Sequence, residues 1–180
     1  MSVYLNNAAT SWPKPPCVAQ TMKDFLESVG ANFARGSAAE RDIATMSMTL
    51  ECRERLARLF GGWENASPQY VTFTSGVTES LNVVLKGFLR PGMTVLTTSM
   101  EHNAVTRPLR RLQSTGVRVE VVRCDELGRI GISEWKKELE RHSPDLAVVN
   151  HASNVCGTVQ DLDSIAALCR ARGIPLVVDT

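Results

Sequence analysis

Four short stretches of this sequence collect groups that bind or move charge. In Thr74-Ser75-Gly76-Val77-Thr78-Glu79-Ser80, small and hydroxyl residues around one glycine stand directly before a helical pattern. Backbone N–H groups exposed there, backed by the positive end of a helix dipole, make a phosphate site. The stretch is neither a Walker A loop nor Gly-x-Gly-x-x-Gly. An ordinary helix cap, with Ser75 or Thr78 as cap and Glu79 as a first-turn acid, also explains it. Ser99-Met100-Glu101-His102-Asn103-Ala104 puts His102 at another helix start, where an imidazole can stack on a flat heteroaromatic ring, move protons, or simply lie partly exposed. Asn150-His151-Ala152-Ser153-Asn154-Val155-Cys156-Gly157-Thr158 is mostly polar and follows an apolar run, which suits a binding loop; the Asn154 amide both donates and accepts. Asp179 follows Leu176-Val177-Val178, so its carboxylate is partly buried and requires a partner, of which a protonated pyridinium nitrogen is one.

These groups need a scaffold that brings them to one place. Short β-rich runs occur at Tyr70–Thr74, Thr94–Thr98, Arg118–Arg123, Leu146–Asn150 and Pro175–Asp179, separated by helical patterns over 77–89, 101–114, 133–141 and 161–172. Strands alternating with helices, several of the strands continuously apolar, predict an α/β fold with a mainly parallel sheet covered by helices on both faces. Two helical patterns precede it, at 16–29 (ended by Gly30) and from Ala38 to Phe60 (ended by Gly61-Gly62). Residues 1–60 are therefore expected to be an N-terminal helical segment and 61–180 an incomplete α/β domain. The last run reads as a buried strand with nothing after it, which predicts a fragment of a longer enzyme. Ligands bind such sheets beyond the carboxyl ends of their strands. A phosphate cradle, a ring-stacking group, an amide and a carboxylate all fall there, and together they are the contacts pyridoxal phosphate requires.

Bulk composition excludes several other classes. A formal net charge of +1 with no long basic run leaves no electrostatic footprint for nucleic acid or an anionic membrane surface. The cluster Arg107, Arg110 and Arg111 lies on a helical pattern and reads as a solvated face. No apolar run approaches the roughly 20 residues that span a bilayer, and the first residues lack the features of a secretory signal. A cytoplasmic protein is expected. Cys17, Cys52, Cys124, Cys156 and Cys169 are odd in number and contain no Cys-x-x-Cys pair, which predicts free thiols and no zinc site.

Taken in order, the motifs Tyr4–Thr10, Phe73–Ser80, Glu101-His-Asn103, His151–Thr158 and Val177-Val-Asp179 make the whole chain similar to the class V aminotransferases of fold type I. Within these it resembles the cysteine desulfurase and selenocysteine lyase group. The resemblance implies the truncated large domain of a fold type I, pyridoxal-phosphate-dependent transferase. It implies that Val77 and Thr78 hold the cofactor phosphate, that His102 stacks on the ring and relays protons, that Asn154 bonds the phenolic oxygen and that Asp179 pairs with the pyridinium nitrogen. Asn7, Ala8 and Ala9 would lie near the substrate carboxylate, and Arg35 in a loop approaching a dimer partner's active site.

The implied parent enzyme is a homodimer that converts L-cysteine to L-alanine and passes sulfur to one of its own cysteines, from which a sulfur-acceptor protein could take it. The Schiff-base lysine and the sulfur-accepting cysteine of that family have no counterpart among these residues. Lys14, Lys23, Lys86, Lys136 and Lys137 read as surface lysines, and Cys156 as a small packing residue. The chain alone is thus expected to be inactive. Alternatives are a selenocysteine lyase, an aminotransferase or a kynureninase-like hydrolase and, in another class, a non-catalytic nucleotide-binding or interaction module.

Overall fold

The computed structural model describes residues 3–33, 38–61 and 63–180; Arg35 lies outside them. The chain divides into two compact units, residues 1–73 and 74–180.

In the first unit, helix α1 (Pro16–Asp24) opens on a proline, whose missing N–H costs a helix nothing at that position. It widens into a π-helical turn, Phe25–Val29, that stops at Gly30. The longer helix α2 (Glu40–Leu59) is tied to the chain before it through two side chains. Thr45 Oγ1 accepts the Ala31 N–H (3.3 Å), and an Asp42 carboxylate oxygen accepts the Asn32 N–H (3.1 Å). The Arg53 guanidinium stands over the rings of Phe33 and Phe73, 5.9 and 5.7 Å from their centroids.

The expected strand at Tyr70–Thr74 is not formed. Pro68–Tyr70 make a 3₁₀ turn, and Val71 is extended (φ −100°, ψ 118°) but belongs to no ladder. Val71, Thr72 and Phe73 have the β preference that prompted the expectation. A strand, however, is defined by its neighbour's hydrogen bonds, and among the described residues this segment has no such neighbour.

The second unit contains the sheet. Helix α3 (Val77–Phe88) leads to β1 (Thr94–Thr98), α4 (Asn103–Gln113) to β2 (Arg118–Val122), α5 (Ile132–His142) to β3 (Leu146–Asn150), and α6 (Leu162–Arg170) to β4 (Leu176–Asp179). The four strands are parallel, in the order β2-β1-β3-β4. Every residue of β1 and β3 is buried, as befits central strands covered on both faces.

Alternation along these strands sorts the core into two layers. Val95, Leu146 and Val148 pack with Leu81 and Leu85 of α3 and Val105 and Leu109 of α4. Leu96, Ala147 and Val149 face the other way, onto Trp135 and Leu139 of α5 and Ile165 and Cys169 of α6. The expected parallel sheet with helices on both faces is present.

The strand order places the ligand edge. From β1 the chain crosses to β2 on one side, whereas from β3 it crosses to β4 on the other. Connections leaving in opposite directions open a crevice at the carboxyl ends of the two middle strands. Those two strands also part there: their register pairs Val95 with Leu146 and Leu96 with Ala147 and extends no further.

Candidate active site

Helix α3 runs back along the sheet before turning into β1. Its twelve residues rise about 18 Å, close to the length of a five-residue strand, so its N-terminus lies at the same edge as the carboxyl ends of the strands. Neither Ser75 nor Thr78 caps it through a side chain. Glu79 instead reaches back, one carboxylate oxygen accepting both the Ser75 N–H (2.8 Å) and the Ser75 hydroxyl (2.6 Å). Those bonds hold the Glu79 carboxyl below its usual range. The Thr74 hydroxyl bonds the Gly76 carbonyl (3.0 Å) and meets Ser80 Oγ at 2.7 Å. The N–H groups of Glu79 and Ser80 are taken by the Gly76 carbonyl. Those of Val77 and Thr78 have no partner among the described residues, and both side chains are exposed. A helix N-terminus with free N–H groups accepts an oxyanion. A Cβ at Gly76 would meet nothing within 4 Å, so space remains in front of them.

His102 is the N-cap of α4. Its Nδ1 accepts the Ala104 N–H at 3.1 Å, which leaves Nε2 to carry the proton of the neutral ring. The ring is exposed. It stands close enough to Asp179 for its charge to stabilise that carboxylate.

Asp179 ends β4, only 9% exposed, and no hydrogen bond from the described residues reaches its carboxylate. Burial pushes its pKa up, against the pull of His102. A nearly buried carboxylate at a ligand edge with no protein cation bonded to it is built to receive a cationic donor.

The polar loop after β3 is held at its base. The His151 N–H joins the Asp179 carbonyl (2.8 Å) and the Gln160 N–H the His151 carbonyl (2.9 Å). Buried Ser153 accepts the N–H groups of Val155 (3.2 Å) and Cys156 (3.4 Å). Buried Gln160 fixes the neighbouring turn, its Oε1 accepting the Ile130 N–H (2.9 Å) and its Nε2 donating to the Gly128 carbonyl (2.7 Å). Asn154 rides on this frame, exposed, with its amide unbonded among the described residues.

Cys156 departs from expectation. It is exposed, not packed. Hydrogen bonding with Ser153 and Thr158 brings its thiol down to about 7, with Sγ 3.3 Å from the Thr158 hydroxyl oxygen. Being outside any apolar cluster, it does not fill space; its polar neighbours favour the thiolate. All five cysteines are free thiols.

The predicted residues thus fall in two groups. Val77, Thr78, His102, Asn154 and Asp179 belong to the second unit and to the carboxyl edge of its sheet. Asn7, Ala8 and Ala9 belong to the first unit, in an exposed turn where Asn7 Oδ1 accepts the Trp12 N–H (3.0 Å) and the Ala9 N–H bonds the Asn6 carbonyl (3.1 Å).

One residue of the edge escaped the sequence reading as a site residue. Glu101 Oε1 accepts the Thr98 hydroxyl (2.7 Å) and the Asn150 N–H (3.0 Å). An acid three residues past the end of a β-rich run was the only local signal. Arg107, Arg110 and Arg111, and the five lysines, are exposed as expected. No helix among the described residues is long and apolar enough to cross a membrane, and no group of three or more His, Cys, Asp or Glu among them could hold a metal ion.

Comparison with known proteins agrees with this geometry. A probable cysteine desulfurase of Methanothermobacter thermautotrophicus is 33% identical over 98% of the chain, and the cysteine desulfurase IscS of Pectobacterium carotovorum is 32% identical over 99%. These matches cover 43% and 44% of the two relatives, so the chain spans less than half the length of the curated relatives it matches. Among solved structures, an apo cysteine desulfurase from Thermococcus onnurineus superposes with a TM-score of 0.88 at 26% identity, covering 99% of this chain and 44% of that one. The family model for class-V aminotransferases matches residues 3–180, and the chain belongs to that family.

Proposed function

We propose that this chain contributes the cofactor-gripping half of a pyridoxal-phosphate-dependent cysteine desulfurase. The observation that carries the reading is Asp179, a nearly buried carboxylate at the ligand edge with no donor among the described residues, on the sheet whose carboxyl edge also receives the free N-terminus of α3. The residues fit the cofactor group by group. Val77 and Thr78 would hold the phosphate through their N–H groups and the Thr78 hydroxyl. Asp179 would hold a proton on the ring nitrogen. Asn154 would donate to the phenolic oxygen. His102, with its tautomer set by the cap bond, would cover the ring and offer Nε2–H for proton transfer. The bound cofactor supplies an electron sink for bonds around the substrate's α-carbon. Asn7, Ala8 and Ala9 are assigned to the substrate carboxylate on family resemblance alone.

In the whole protein the reaction is conversion of L-cysteine to L-alanine with sulfur passing to an enzyme cysteine. A cytoplasmic homodimer serving a sulfur-acceptor protein is the setting we infer. Residues 61–180 are assigned as cofactor-binding domain and 1–60 as the helical segment before it. The 180 residues by themselves offer no lysine or cysteine that matches the family's reactive pair, so they should not turn over cysteine.

The test is equilibrium titration of the chain with pyridoxal phosphate, ATP and NAD, followed by absorbance and by thermal stability. Saturable binding of pyridoxal phosphate alone is expected. Binding of ATP or NAD in its place would favour the nucleotide-module reading and overturn this one. Alanine formed from cysteine by the 180 residues with added cofactor would overturn the expected inactivity.

A further inference from the structure

β1 continues to Thr98 and β3 to Asn150, yet the two are paired only through Leu96 and Ala147. Glu101 occupies the divide, with Oε1 bonded to the Thr98 hydroxyl on one side and the Asn150 N–H on the other. The Asn150 N–H would otherwise lack an acceptor, at a cost of about 1–3 kcal/mol for an unsatisfied buried donor. The other oxygen of Glu101, Oε2, is buried with no partner among the described residues, and so is Asn150 Oδ1. No ion pair reaches Glu101 among the described residues. The groups facing it are Asp179 from β4 and the Cys124 thiol from the segment after β2; His102, next in the chain, acts on Asp179, and Thr98 and Asn150 are uncharged. Two carboxyl groups share this enclosed place with one imidazole as the nearby basic group. Desolvation and mutual repulsion then make it costly for both to ionise.

We propose that Glu101 is a positioning residue held as a neutral carboxyl: it spans the β1–β3 divide and leaves Asp179 the single negative charge facing the ring nitrogen of the cofactor. The second half of this statement rests on the cofactor reading above; the first half does not. Burial pushes Glu101 from an ordinary 4.5 to about 7, with the Asp179 charge adding to the rise and the Thr98 and Asn150 bonds opposing it. Above neutrality a second negative charge appears beside Asp179. Oε1 keeps both of its hydrogen bonds in either state, so the strand ends stay in place.

Two measurements on the cofactor-free chain test the protonation. Glu101→Gln keeps an oxygen for Thr98 and Asn150 and cannot ionise. A pKa raised by folding means that the folded state holds a proton the unfolded state has released. Wild-type stability therefore falls, relative to the variant, as pH rises from about 4.5 to about 7, and the gap then levels off. Infrared spectra of glutamate-labelled wild type should show a protonated-carboxyl band that persists towards pH 7 and is missing from Glu101→Gln. A gap that does not vary with pH, or a variant that loses stability relative to wild type as pH rises, overturns the proposal, as does absence of the band at pH 6. If the variant does not fold, the wild-type infrared titration decides.

The cofactor arm is separate. At pH 6 Glu101→Gln should bind pyridoxal phosphate within about twofold of wild type, and a loss of about tenfold or more would overturn the positioning role. Failure of wild type itself to bind would overturn the cofactor reading, with the infrared result still judging Glu101.

Discussion

Asp179 and Cys156 show how far single side chains are governed by what lies next to them. An aspartate ending a strand is readable in sequence as a partly buried charge. Its lack of a donor among the described residues is not, because that depends on which groups the other strand ends supply. Asp179→Asn should weaken pyridoxal phosphate binding by about 2 kcal/mol or more, near thirtyfold, since it removes one partner of a desolvated charge pair; absorbance titration measures this. Cys156 was the less legible case. A small residue in a Gly-containing loop resembles packing, and only the folded loop brings the Ser153 and Thr158 hydroxyls to the sulfur. Alkylation of Cys156 by iodoacetamide should follow a titration with a midpoint near 7. Cys169, buried and with its thiol pushed up by burial, should remain unmodified in the folded chain; peptide mapping after a timed pulse separates the two. Glu101 was missed because an acid after a strand usually begins a helix, and nothing local reveals that a neighbouring strand's N–H needs it.

At the level of elements, the four paired strands and the helices between them were legible because the strands are short β-rich runs, nearly continuously apolar in β3 and β4, and helices write a 3.6-residue spacing. The run at Tyr70–Thr74 failed since its composition records a preference, whereas pairing depends on a second segment. The loops after strands were legible as polar, but their internal bracing was not. Gln160 is the clearest example, a single amide that satisfies the Ile130 N–H and the Gly128 carbonyl thirty residues away. Gln160→Ala should cost about 2–4 kcal/mol in urea unfolding by leaving two buried backbone groups unpaired. It should also loosen the loop that carries Asn154. Leu96→Ala, at a fully buried position shared with Trp135 and Leu139, should cost about 2–5 kcal/mol through the cavity it leaves, without altering the ligand edge.

For the molecule as a whole, the fold class and the common address of the site residues came from the order of elements, whereas the crevice itself came from the strand order, which no linear pattern displays. A ligand that binds only the folded chain stabilises it by mass action, by about 2.7 kcal/mol at one hundred times its dissociation constant. The parting of β1 from β3 has a further consequence, for motion. Both strands are buried along their whole length, yet only their first halves are locked to each other. Amide hydrogen exchange should therefore be graded along the seam between them, slowest at Leu96 and faster at Thr98 and Asn150. Ligand should flatten that gradient by slowing exchange at the carboxyl ends alone, so that one strand reports global unfolding at its start and site occupancy at its finish.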